Sequence, residues 1–265
     1  MKQRLAVTPE ALAKRLFLRR AFGAAGAVMF GGCDRVGSSE AFQSLLSAGE
    51  AASRGVRSAV GSAATTMAQE FDRSDLSPTF RGNGNTDPDG AAYKAHATNG
   101  FKDWKLAVDG LVDAPATFSL AELRALPSRT QITRHDCVEG WSAIGQWTGV
   151  QLGRVLALVK RRPDARYVVL HCADTFGEGA DATPYYESID LHDAYHPQTL
   201  LAYSLNNQAL PILNGAPLRL RVERQLGYKH AKYVMRLELV ADFAHLGGGK
   251  GGYWEDQGYQ WYAGI

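Results

Sequence analysis

The chain is poor in cysteine. Its 265 residues carry three, Cys33, Cys137 and Cys172, without a CxxC or any paired Cys/His spacing of the zinc type. That argues against a disulfide framework and against a structural zinc site. The CxxCH haem-attachment motif is missing as well. No P-loop is present and no G-x-G-x-x-G follows directly on a strand, which argues against nucleotide and dinucleotide cofactors. Net charge is small, +2 from 29 basic and 27 acidic residues, so there is no global electrostatic basis for binding nucleic acid or a membrane surface. Repeats and coiled-coil heptads are not evident. What remains is a chain long enough to bury a substantial core in one large or two small domains.

The N-terminus has the layout of an export signal. Lys14, Arg15, Arg19 and Arg20 precede the apolar, small-residue run Ala21 to Gly32, which is shorter than the roughly 20 residues that span a bilayer as a helix. Arg19-Arg20 followed by Phe22 resembles a twin-arginine signal, the type used for proteins exported already folded. Cys33 after Gly31-Gly32 resembles a lipoprotein cleavage box, with Phe30 where leucine is usual. A plain amphipathic helix is the weaker account, since Gly23, Gly26, Gly31 and Gly32 would each cost it roughly 1 kcal/mol. The expectation is a periplasmic or otherwise exported protein, with lipidated Cys33 as a possible membrane anchor. Residues 1–33 are then the signal, 34–77 an Ala/Ser/Gly-rich tether or loosely packed segment, and 78–265 the functional domain.

That domain reads as α+β: mixed, mainly antiparallel β with short helices. FRGNGNTDPDG, Phe80 to Gly90, stacks turn formers and is expected to be a loop. Trp104 to Val112 reads as a strand. Ser119 with Glu122 has the spacing of a capping box opening a short helix, and Val150 to Val159 has helical periodicity. Tyr167 to Cys172 reads as a buried strand. DTFGEGADATPYYESID is too polar and irregular for a core element and is expected to be a pocket loop. In Pro217 to Glu223, Leu218, Leu220 and Val222 alternate with Arg219, Arg221 and Glu223. Arg224, Lys229, His230, Lys232 and Arg236 extend the cationic side. Such a set suits a phosphate or pyrophosphate, although on these residues alone a solvated strand face is the readier account. An aromatic tail, Tyr253 to Tyr262, is expected to wrap the domain or its pocket.

The chemistry is expected in RTQITRHDCVEGWSAIGQWTG, Arg129 to Gly149, where Cys137 stands among His135, Asp136, Glu139 and Trp141. On these residues alone Cys137 fits a metal ligand, a nucleophile activated by His135, or an inert buried thiol. The whole chain equally fits a non-catalytic exported protein that holds an anionic ligand on its basic strand.

TRHDCVEGWS, LPILNGAPLRLRV followed by LGYKHAKYV, and the closing GGYWEDQGYQWY together resemble, in order, the sulfite oxidase-type molybdopterin-binding domain. The Cys-Val-Glu-x-Trp-Ser pattern is closer to the bacterial exported branch, which includes methionine-sulfoxide reductase catalytic subunits, than to sulfite oxidases proper. The resemblance implies a molybdenum-molybdopterin oxidoreductase with Cys137 as thiolate ligand to the metal and the pterin dithiolene supplying its other sulfurs. It implies pterin contacts for Asn214, Arg219, His230, Ala231 and Lys232, for Asn83 with Asn85 as competitor, and for Cys172 where relatives carry threonine. Glu139 and His135 are the candidates for proton handling. The arginines that hold sulfite in sulfite oxidases are replaced by Glu139, Gly140 and Trp141, so the expected reaction is two-electron oxygen-atom transfer with a sulfoxide, N-oxide or related small molecule. A monomer is expected, with electron transfer through a separate redox partner, for which a membrane b-type cytochrome is a candidate.

Overall fold

A computed structural model of the chain describes residues 66–177 and 182–265 and a few isolated positions between 39 and 52. Both export features, the arginine pair and Cys33, lie outside the described residues. The chain divides into two units, residues 1–63 and 64–265, and all that follows concerns the second.

Two five-stranded sheets make up this unit. The first runs β2 (Ala116–Ser119), β1 (Lys105–Gly110), β10 (Val234–Val240), β5 (Tyr167–Phe176) and β6 (Thr183–Asp190). Its β1–β10 pair is parallel and the others are antiparallel. The second runs β3 (Ser128–Cys137), β4 (Trp141–Gln151), β7 (Leu200–Leu205) and β8 (Gln208–Ala209), with β9 (Arg219–Arg221) on the other edge of β7. All its pairs are antiparallel. The expected mixed, mainly antiparallel architecture with short helices is what the chain adopts. Trp104, Leu106, Val108, Val168, Leu170, Leu218, Leu220, Val234, Leu237 and Leu239 are essentially unexposed and join the buried face of α3 (Leu152–Leu158) in one apolar core.

Local chemistry accounts for most element ends. Ser119 accepts the Glu122 N–H and the Glu122 carboxylate accepts the Ser119 N–H, closing the capping box that starts α2 (Leu120–Ala125). Asp190 caps α4 (Leu191–Ala194) through the Asp193 N–H at 2.8 Å. Asn206 and Asn207 take φ 51° and 63° and give β7–β8 the two-residue turn whose twist suits a hairpin. The β3–β4 hairpin pairs Ser128 with Val150 through to Cys137 with Trp141. Its turn closes with Gly140 at φ 85°, the left-handed position such three-residue turns need.

Two stretches differ from the sequence reading. The expected pocket loop is mostly strand: β5 extends to Phe176 and β6 begins at Thr183. Tyr185 through Ile189 are buried on both faces of β6, so strand alternation is absent. The polar residues there find partners inside the fold: one Glu187 oxygen accepts from Lys229, and Ser188 donates to the Gly251 carbonyl and accepts the Trp261 indole N–H. The alternative of a solvated Arg219–Arg221–Glu223 face fails, since Arg219 and Arg221 are 0 % and Glu223 5 % exposed. Residues 66–77 run along β3 and β4, with Phe71 N–H donating to Ile132 O at 2.9 Å and Ser77 N–H to Ile144 O at 3.0 Å. A short helix, α1 (Ala91–Thr98), precedes β1.

Candidate functional site

Cys137 is the last paired residue of β3, at the tip of a long hairpin aimed at the sheet containing β5 and β6. Around it lies a cavity of about 620 Å³, partly open to solvent. Its walls combine Cys137, Val138 and Glu139 with Asn83 to Asn85, Asp174 and Phe176 of β5, Tyr185 of β6, Gly227, Tyr228, His230 and Lys232, and Trp254 and Tyr259 of the tail. The aromatic tail therefore reaches the pocket as expected. Trp254 stacks on Tyr259 with centroids 5.3 Å apart.

Cys137 is 8 % exposed. Burial pushes its thiol above the usual range, opposed by the Glu139 N–H, which donates to the sulfur. Glu139 sits at the exposed rim, its carboxylate accepting the Trp141 indole N–H at 2.9 Å. His135 shares the buried face of β3 but lies behind the cavity wall. Its Nδ1 is 3.0 Å from Arg221, and Nε2 has no partner and faces Gly227. Burial first, then Arg219, His230 and Arg221, hold the His135 imidazole neutral. No hydrogen bond joins it to Cys137 among the described residues, so the nucleophile reading has no base in place.

The cationic cluster separates into two groups. Lys229, fully buried, donates to Glu187 at 2.5 Å and Glu255 at 2.6 Å. Arg221 pairs with Glu223, Arg224 with Asp193, and Arg236 with Asp109 and Glu238. These four are already neutralised by carboxylates and are not free to bind an anion, contrary to the extended basic strand read from the sequence. Arg219 differs. It is 0 % exposed, donates through one nitrogen to the Asn214 carbonyl at 3.1 Å, lies 5.3 Å over Trp147, and leaves Nε and one terminal nitrogen without partners. Burial and the Arg221 charge make its cation costly, yet a guanidinium keeps its proton at neutral pH. It is a buried cation without an anion among the described residues.

Lys232 donates to the Asn83 carbonyl at 2.5 Å and to the Asn85 carbonyl, and so ties the early loop to the cavity. Burial, then Arg219, lowers its ammonium to about 7. Asn83 keeps a buried Oδ1 without a partner, whereas the Asn85 side chain bonds within the fold, to Thr175 O and the Asp87 N–H. His230 presents an unpartnered Nδ1 while its Nε2 contacts the Gln225 carbonyl at 3.0 Å. Asn214, Ala231 and Cys172 are not in the cavity wall. The Asn214 side chain reaches Arg81 O at 3.4 Å, the Ala231 carbonyl accepts the Leu220 N–H at 2.8 Å, and Cys172 pairs with Val234 across β5–β10. Thus Asn83, Cys137, Glu139, His230 and Lys232 meet in one cavity, with His135 and Arg219 behind it.

The sequence reading did not name Asp174 or Tyr185 as site residues, because both fell within the stretch taken for a loop. Gly227, whose loop the sequence offers for close backbone approach to a ligand, lines the cavity, and a Cβ there would lie 2.6 Å from His135 Nε2.

Unpartnered buried donors and acceptors around a single thiol make a polar cradle suited to an anionic ligand. Among the described residues no group of three or more His, Cys, Asp or Glu could hold a metal ion, so a metal beside Cys137 needs donors carried in by another group. The model of the oxidoreductase molybdopterin binding domain family matches residues 94–245, and the chain belongs to that family, whose cofactor is molybdenum-molybdopterin. The resemblance to sulfite oxidase-type domains is thereby borne out.

The chain is 46 % identical over 161 residues to a putative protein-methionine-sulfoxide reductase subunit YedZ1 of Azospira oryzae, covering 61 % of this chain and 56 % of the relative. It is 36 % identical over 144 residues to the protein-methionine-sulfoxide reductase catalytic subunit MsrP of Ralstonia nicotianae, covering 52 % and 44 %. Against MsrP of Campylobacter jejuni it is 30 % identical over 149 residues, covering 53 % and 50 %. The chain spans about half the length of these curated relatives. Among solved structures it is similar to the sulfane dehydrogenase SoxCD of Paracoccus pantotrophus, with 23 % identity, a TM-score of 0.47, and 53 % of this chain and 39 % of that chain covered.

Proposed function

We propose that the chain is an exported oxidoreductase that holds molybdenum-molybdopterin and reduces a sulfoxide or a related small oxygen-atom donor, with electrons from a separate redox partner. The observation that carries this is Arg219, a buried guanidinium without a counter-anion, set behind a cavity whose inner wall bears one thiol. A pterin phosphate satisfies the guanidinium with charge-assisted hydrogen bonds, and a thiolate suits a metal that changes oxidation state. When bound, the cofactor supplies a metal centre that cycles by two electrons.

The chain's own residues then have distinct tasks. Cys137 would hold the metal through its sulfur as a thiolate. Arg219 meets the anionic end of the cofactor, and Lys232 holds the Asn83–Asn85 loop against the cofactor surface. Asn83 and His230 offer an unpartnered oxygen and an unpartnered ring nitrogen to its hydrogen-bonding groups, and Asn214, Ala231 and Cys172 support that surface. Glu139 works at the rim on protons or water, while His135 braces the wall. Phe176, Tyr185, Trp254 and Tyr259 exclude water from the apolar part of the substrate.

The names of the relatives, a reductase subunit and two catalytic subunits acting on methionine sulfoxide in proteins, support both the sulfoxide substrate and a partner that supplies electrons. A membrane b-type cytochrome suits that partner, because an exported enzyme must draw electrons from across or within a membrane. No described helix is long and apolar enough to cross a membrane, so the attachment we propose rests on the N-terminal segment and Cys33. The test is a screen of the molybdenum-loaded chain against sulfoxides, N-oxides and sulfite with artificial electron donors and acceptors. Sulfoxide reduction is expected. Sulfite oxidation without any sulfoxide or N-oxide reduction would overturn the proposal.

A further inference from the structure

Removing oxygen from a sulfoxide consumes protons. In balanced form, R₂SO takes up two electrons and two protons and gives R₂S and water. The sulfur–oxygen bond breaks, sulfur is reduced, and two new O–H bonds form. The electrons come from the separate one-electron donor. The protons must come from groups inside the cavity or from water admitted to it.

Asp174 is placed for this. It lies near the end of β5, is 3 % exposed, lines the same cavity as Cys137, and leaves Oδ1 buried without a hydrogen-bond partner. A buried acceptor of that kind is costly unless a ligand or a proton satisfies it. The titratable groups facing it come from each neighbouring element: Cys172 on its own strand, Tyr185 on β6, Tyr93 on α1, and Lys232 and Tyr233 ahead of β10. Burial holds the Cys172 thiol and the three tyrosine hydroxyls in their protonated forms. Burial also raises the Asp174 carboxyl, against the pull of Lys232, and lowers the Lys232 ammonium. Burial therefore favours the protonated Asp174 carboxyl, the form that can donate. Glu139, by contrast, sits on the exposed rim with its carboxylate engaged by Trp141.

Resting on the sulfoxide-reductase reading, we propose that Asp174, with Lys232 beside it, is a catalytic acid of the cavity that delivers one of the two protons to the departing oxygen and is recharged from solvent through the open side. The partnerless oxygen is where the departing oxygen or the water it becomes is received.

The test compares the molybdenum-loaded full chain with Asp174→Asn, which keeps the shape and loses the acid, and Asp174→Glu, which restores an acid. Assays use reduced viologen as donor and dimethyl sulfoxide as substrate across pH, with molybdenum content and the infrared carboxylic-acid band recorded for each protein. The expectation is a drop in kcat of about a hundredfold in Asp174→Asn, with KM and molybdenum content retained. The alkaline fall of the parent's kcat and one carboxylic-acid band should vanish with it, and Asp174→Glu should recover part of both. Unchanged kcat and pH profile in Asp174→Asn overturn the inference while the sulfoxide reading stands. So does a loss of activity that merely follows lost molybdenum, which would make Asp174 a cofactor contact. A loaded parent inactive on every sulfoxide overturns the reading and the inference together.

Discussion

Replacing Lys229 by methionine should destabilise the domain without removing a cofactor contact. Lys229 is 0 % exposed and is shared by Glu187 at 2.5 Å and Glu255 at 2.6 Å, themselves 0 % and 1 % exposed as side chains. Burial alone would lower the Lys229 ammonium, but the two carboxylates outweigh it and raise it. Glu187 is raised too, by burial first and with Glu255 adding to it against Lys229. The two directions agree once the charges are counted, because one cation cannot neutralise two carboxylates in a dry site. Removing the cation from a buried pair costs about 3–5 kcal/mol. For a domain of this size each kcal/mol moves the melting temperature by roughly 2–4 °C, so a fall of roughly 6–20 °C is expected.

The pH dependence has a definite sign. With Lys229 gone, Glu187, whose carboxyl burial already raises, holds its proton more tightly folded than unfolded, so folded protein binds more protons above the ordinary carboxylate range and its stability falls as pH rises. The deficit against the parent should therefore widen from pH 5 to pH 8. Lys229's own contribution is lost only above pH 10.5, outside that window. Thermal unfolding of cofactor-free parent and variant followed by circular dichroism measures both effects, and adding Glu187→Gln and Glu255→Gln should recover much of the loss. A shift at pH 8 below about 3 °C, roughly 1 kcal/mol for a domain of this size, would refute the reasoning.

Three further outcomes are expected. Arg219→Met should leave cofactor-free protein at least as stable, because an unpaired buried cation disappears, but should sharply lower molybdopterin occupancy; full occupancy would show that the anionic end of the cofactor lies elsewhere. Gly227→Ala should cost about 1–3 kcal/mol, since its Cβ would lie 2.6 Å from His135 Nε2, and an unperturbed melting temperature would contradict that packing. Arg19,Arg20→Lys,Lys should keep the full-length chain in the cytoplasm, and continued export would rule out the twin-arginine signal.

Sequence made some elements legible because their causes are local. The capping box at Ser119 follows from two residues three positions apart, and the helix after Val150 from the spacing of its own apolar residues. Cys137 stood out by its company, and the hairpin then gave that company a place. The errors have a common physical origin, which is charge compensated by partners far away in sequence. Lys229 looked like part of an anion site because Glu187 and Glu255, 42 and 26 residues distant, are invisible in its neighbourhood. Polar β6 looked like a loop for the same reason. Arg219 and Arg221 are two residues apart with the same chemistry, yet Glu223 neutralises one and leaves the other unpaired. Only the three-dimensional arrangement separates a structural arginine from one available to a ligand.

The central claim is that Cys137 anchors molybdenum carried by a pterin. Its most direct test is molybdenum and pterin content of the purified full chain from a molybdenum-replete host, beside Cys137→Ser. The account requires near one molybdenum per parent chain with extractable pterin, and loss of the thiolate-to-molybdenum spectroscopic signature in the variant. Metal-free parent protein, or an unchanged signature in Cys137→Ser, would contradict it.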